Sequence, residues 1–163
     1  MVLIIIGAAS GGSNNGTQKV GTNTTPTTQV QQPQAVNYKV GDQIKSGDFV
    51  FSVNSVSKDQ GTAYVKPTAG SIYIIPNVTI QNNGKTKSAV STLLQMYIKD
   101  SEGNKYSPAL TTNATGKVDG ELLAGDKVKG DVGFEVPLSA TGLKFYFTPE
   151  WLTGDTIVVD LGQ

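Results

Sequence analysis

The chain has 163 residues, balances thirteen basic against thirteen acidic side chains, and contains neither histidine nor cysteine. These counts fit one domain with an appendage, and they exclude Ser-His-Asp and Cys-His nucleophilic machinery and the usual zinc and redox sites. Every basic residue is a lysine, so the guanidinium fork that reads guanine or grips phosphate is missing, and without net positive charge nucleic acid is not an expected partner.

Residues 2–9, VLIIIGAA, form an apolar run far shorter than the roughly 20 residues that span a bilayer as a helix. A secretory signal carries a basic region ahead of its apolar stretch, and only Met1 precedes this one. The expectation for residues 1–9 is therefore the end of a signal or membrane anchor, read from a late start or after trimming. Residues 10–36, SGGSNNGTQKVGTNTTPTTQVQQPQAV, hold almost no charge and little that could be buried, which predicts a disordered linker with an end-to-end distance of about 30 Å. Asn-x-Thr triplets at Asn15, Asn23, Asn77 and Asn113 are glycan acceptors in form, but a threonine-rich chain produces such triplets by coincidence.

From residue 37 to 163 the pattern changes to short alternating stretches broken by Gly, Asn and Asp, the pattern of an all-β sandwich or barrel. Phe49, Phe51 and Val53 share one face of their stretch, with Val50, Ser52 and Asn54 opposite. Ile72, Ile74, Val78 and Ile80 oppose Tyr73, Asn77, Thr79 and Gln81, and Asn82-Asn83-Gly84 ends that run in a turn. Pro76 lacks an amide hydrogen, which predicts an edge or a bulge there. Leu94, Met96 and Ile98 continue the period, and residues 100–104, DSEGN, read as a tight turn. In LLAGDKVKGDVGFEVP, Val128, Gly130, Val132, Phe134 and Val136 share one parity while Lys127, Lys129, Asp131 and Glu135 share the other, so those charges are the wet face of a strand. Leu143, Phe145 and Phe147 alternate with Lys144 and Tyr146, and TIVVDL supplies a last strand.

Taken in order, GDQIKSGDFVFSVNSVS, SIYIIPNVTIQNNGK, YIKDSEGNKYSP and LLAGDKVKGDVGFEVP resemble a bacterial and archaeal domain-of-unknown-function family of the immunoprotective extracellular immunoglobulin-like superfamily. The recurring elements fall at Tyr73, at Asp100 with Gly103, and at Gly125, Gly130 and residues 134–137. The resemblance implies an immunoglobulin-like β-sandwich of two antiparallel sheets in a secreted protein or lipoprotein, with no established enzymatic activity. This chain departs from the pattern in having no lipobox cysteine and in placing Pro76 within a strand that is usually continuous.

The candidate sites are few. The segment 100–104 begins like a calcium loop, but the twelfth position, where an EF-hand needs a bidentate Glu, is Thr111. Asp119, Glu121, Asp126 and Glu150 stand in turn-like contexts that offer no apolar pocket for acid–base work. Tyr73, Tyr146 and Trp151, read as lying opposite the core faces or at a corner, are the candidate surface for a ligand or partner. The expectation is a noncatalytic module without cofactor or metal, extracellular or at the cell surface, tethered to the membrane only through its N-terminal segment. Its expected partner is an envelope protein or glycan, the alternatives being a carbohydrate-binding module or a purely structural spacer.

Overall fold

Alternation places the core. In the computed structural model, which describes residues 38–111, 114–150 and 155–163, Phe49, Phe51 and Val53 are fully buried while Asn54 is exposed. The expectations for residues 1–9 and 10–36, and for Trp151, lie outside the described residues.

The elements are β1 (Tyr38–Lys39), β2 (Ile44–Ser46), β3 (Phe49–Asp59), β4 (Ser71–Asn82), β5 (Ser88–Val90), α1 (Thr92–Gln95), β6 (Met96–Lys99), β7 (Lys105–Tyr106), β8 (Gly120–Leu122), β9 (Lys127–Asp131), β10 (Phe134–Pro137), β11 (Lys144–Phe147) and β12 (Ile157–Asp160). One sheet runs in the order β1-β12-β11-β6-β7. The second runs β10-β4-β3-β2, with β9 also paired to β4. A small two-stranded ladder, β5-β8, is added to the two antiparallel sheets expected, and the β1–β12 pairing is parallel, so the first sheet is mixed at that edge. The architecture is an immunoglobulin-like β-sandwich.

The inner faces meet through phenylalanines. Phe51 of the second sheet stacks on Phe145 of the first at 5.7 Å and lies 4.8 Å from Phe147, while Phe134 meets Phe145 edge-on at 5.8 Å. Ile74, Val78, Ile80, Ile98 and Val159 complete the same buried cluster.

Pro76 sits in the central strand β4, where its register partner on one side is Val56. Its carbonyl accepts from Val132 N at 3.0 Å, so its missing amide hydrogen faces the other side, where β9 ends at Asp131 and β10 starts at Phe134. The proline thus stands opposite a break in the neighbouring ladder, where no donor is needed. A second irregularity, a register shift between Val53 and Ser55, frees Asn54, whose Nδ2 donates to Asn77 Oδ1 and Thr79 Oγ1, both at 2.9 Å.

Leu94 does not extend the β6 period as expected. One helical turn precedes the strand and rotates Leu93 and Leu94 outward, 72% and 71% exposed, while Gln95 takes the buried seat. Gln95 holds that position through bonds to three neighbours: its Nε2 donates to Pro149 O at 2.5 Å, its Oε1 accepts from Ser91 N at 2.7 Å, and its backbone carbonyl accepts from Thr148 N at 2.9 Å.

Candidate functional site: the outer face of the five-stranded sheet

Register across the first sheet dictates which side chains share its outer face. With Phe145, Phe147, Met96, Ile98 and Val159 turned into the core, the residues between them must point outward. Tyr146 stands opposite Tyr97 on β6 and opposite Val158 on β12. One step along, Lys144 stands opposite Lys99 and Asp160, Lys99 opposite Lys105, and Asp160 opposite Lys39. The result is a cross-strand row, Lys39-Asp160-Lys144-Lys99-Lys105, beside a pair of tyrosines.

The two phenol rings stack with centroids 4.7 Å apart and planes 7° from parallel. Lys105 Nζ lies 4.3 Å from the Tyr97 centroid on the β7 side, so Tyr97 is held between Tyr146 and an ammonium group. Lys99 Nζ sits 5.7 Å from the Tyr97 centroid and 5.5 Å from that of Tyr146. Burial pushes the Tyr97 phenol above its ordinary pKa, and repulsion from Tyr146 adds to the rise. Like charges directly opposite one another destabilise a sheet, and the ring faces offset that cost in part through cation–π attraction. Among the described residues the ion pair within 4.0 Å, Lys87 with Glu121 at 2.8 Å, lies elsewhere, on β8 and the approach to β5.

Of the residues expected from sequence, Tyr146 is on this face. Tyr73 is not, and the structure corrects its assignment to an exposed surface: it lies on the outer side of the second sheet, yet is only 3% exposed. Thr68, in the segment joining β3 to β4, donates its N–H to Glu135 Oε1 at 2.7 Å, and Glu135 is the register partner of Tyr73. That segment is therefore bonded against this end of the outer face, beside the buried ring. Tyr73 and Tyr146 lie on opposite sides of the sandwich and form no common platform, and Trp151 lies outside the described residues. Tyr97, Lys99 and Lys105 were not singled out from sequence. The off-core parity of Tyr97 and Lys99 beside Met96 and Ile98 was the available signal, but only the strand pairing brings them against Tyr146 and Lys144.

The other polar clusters satisfy themselves. Asp100 Oδ1 accepts from Glu102 N and Asn104 N, and its Oδ2 accepts from Asn104 Nδ2 and the Tyr106 hydroxyl, which makes residues 100–104 a closed turn. Asp131 accepts from Asn77 Nδ2 at 2.6 Å and from Thr115 N and Oγ1; burial raises its pKa, but these bonds outweigh it and hold the carboxyl below the ordinary range. Asp119 accepts from Thr92 N and Oγ1, Asp126 accepts from Leu123 N, and Glu121 pairs with Lys87. Their oxygens are committed to loops and turns.

The family profile described as Domain of unknown function (DUF4352) matches residues 38–157. No curated protein matches the chain. Among solved structures, the chain is similar to the yjhA protein from Bacillus subtilis, with a TM-score of 0.64 and 19% identity over 76% of this chain and 98% of that one. It is similar to a candidate lipoprotein (ycdA) from Bacillus subtilis, with a TM-score of 0.59 and 20% identity over 73% of this chain and 38% of that one. A secreted protein from Mycobacterium tuberculosis, MPT63, gives a TM-score of 0.51 and 11% identity over 79% of this chain and 99% of that one. At these identities the likeness is one of fold.

Proposed function

The chain belongs to the DUF4352 family of domains of unknown function, and from that premise we propose that it is a noncatalytic extracellular module that binds a component of the cell envelope. The observation that carries the reading is the open outer face of the five-stranded sheet, where a stacked tyrosine pair and four lysines gather on neighbouring strands. Aromatic side chains offer contact area at low entropic cost, and on the face of a sheet they favour recognition of an extended partner over enclosure of a small substrate. An extracellular setting is supported by the secreted protein and the candidate lipoprotein that share the fold. No helix among the described residues is long and apolar enough to cross a membrane.

The test is retention of envelope fractions, separated into glycan and protein, on the immobilised full chain. Binding that Tyr97→Ala with Tyr146→Ala abolishes is the expected result. No retention of either fraction would leave a structural spacer as the better account.

A further inference from the structure

Building on the binding-module reading, we propose that the ligand of this face is an extended polyanion, a linear polymer bearing one phosphate or carboxylate charge per repeating unit, laid across the strands along the lysine row. The row crosses all five strands of the sheet, and adjacent strands are spaced by about 4.8 Å, so it is about 19 Å long. Lys144, Lys99 and Lys105 occupy three consecutive strands with no carboxylate between them, and Lys39 resumes the row beyond Asp160. Asp160 Oδ1 accepts from Gly162 N at 2.8 Å, so part of its charge is spent on its own turn. At the other end Asp100 and Glu102 follow in the β6–β7 turn, where Asp100 is engaged by Asn104 and Tyr106. The chain is neutral as a whole, so a row of four lysines to one aspartate is a local concentration of charge.

A chain of anions fits this row better than the alternatives. Lysines at directly opposite register positions on three neighbouring strands repel, and a ligand that places an anion over them converts that cost into attraction that the free protein does not have. Lysines act as point charges, suited to singly charged groups repeated along a chain, whereas a terminal carboxylate or phosphate gripped in two places calls for arginine. A neutral sugar would need a free aromatic face. Here Tyr97 is stacked on Tyr146 with Lys105 Nζ 4.3 Å from its centroid, and Lys99 Nζ lies within 5.7 Å of both ring centroids, so the aromatic pair itself carries cations and favours an anionic ligand. At the β1 end of the row, Lys39 and Asp160 line an open depression together with Val40, Leu161 and Gly162.

The experiment is a titration of the full chain with long-chain polyphosphate, polygalacturonate and neutral dextran at several salt concentrations. Polyanion binding is expected, with none to dextran. Lys99→Gln with Lys144→Gln should weaken it about tenfold and lower the slope of log affinity against log salt by about two. Lys127→Gln with Lys129→Gln, the same change of net charge on the opposite sheet, should leave affinity and slope unchanged. Equal losses in the two double variants, or no polyanion binding at low salt, would overturn the inference. If polyanions fail but an envelope component is retained and lost on Tyr97→Ala with Tyr146→Ala, the ligand class is wrong and the binding-module reading stands. Retention of nothing at all sinks both.

Discussion

Asp100 shows how one side chain can organise a turn without serving a ligand. Its two oxygens take four donors at 2.7–3.0 Å, from Glu102, Asn104 and Tyr106. The Asn104 side chain does most to hold the carboxyl down at about 2, with Tyr106 and the backbone bonds of Asn104 and Glu102 adding to it against a smaller upward push from burial. Tyr106 is pushed up to about 12, first by burial and then by its bond to Asp100. A depressed carboxyl supports the fold fully above its ordinary value of 3.8, and that support is lost as the pH falls through about 2. For Tyr106 the sign reverses: its support is complete below 10.0 and is lost as the pH rises through about 12. Carboxyl titration by NMR should find Asp100 near 2, and Asn104→Ala should move it upward toward 3.8, further than Tyr106→Phe does. A midpoint still near 2 in the Asn104 variant would disprove this account. The Asp-x-x-Gly spacing made the turn legible in sequence, and Gly103 duly adopts a φ of +88° there. Tyr106 was not legible as its partner, because that bond depends on β7 folding back beside β6.

Among the elements, alternation succeeds wherever a strand runs undisturbed and fails where something crosses or interrupts it. Phe49 to Val53, Val132 to Val136 and Leu143 to Phe147 bury the side chains their parity predicts. Leu94 fails because a helical turn spends four residues without preserving parity, and Tyr73 fails because a connecting segment covers an outer face that periodicity alone counts as wet. Gly130 is a quieter case. It shares the core parity of β9, yet a Cβ there would come within 2.9 Å of Val118 Cγ2 and 3.1 Å of the Gly116 carbonyl carbon. Thr115 O accepts from Asp131 N at 2.8 Å, so the segment ahead of β8 is bonded against β9 and needs the room that glycine leaves. Gly130→Val should therefore destabilise the protein by about 1–3 kcal/mol, the usual cost of overpacking, and Gly130→Ala by less. Urea unfolding at unchanged m-value measures it. A valine variant as stable as the parent would show that the crossing segment is not fixed.

For the molecule as a whole, the two outer faces differ in a way that the residues alone did not reveal. The second sheet has part of its outer side covered by its own β3–β4 connection and another part tied into the Asn54-Asn77-Asp131 network, whereas the first sheet presents a stacked tyrosine pair with Lys99 and Lys105 over the Tyr97 ring. What completes that first sheet is β12, which lies between β11 and β1 and brings Val159 beside Tyr38, far apart in sequence. This long-range parallel pairing left no mark in the periodicity, since either strand reads the same whatever its neighbour. Ile157, Val159 and Leu161 are at most 4% exposed, and at about 1.5–3 kcal/mol for each buried aliphatic side chain they contribute about 5–9 kcal/mol. A domain of this size has a net stability of about 5–15 kcal/mol, so deleting residues 155–163 removes a large part of it and strands the edges of β11 and β1. The shortened chain should show no cooperative thermal transition, while Val158→Ser, on the half-buried outer side of the same strand, should melt close to the parent. If the deletion variant still melted cooperatively near the parent midpoint, β12 would be an accessory edge, and the lysine row would have to be supported by β11, β6 and β7 alone.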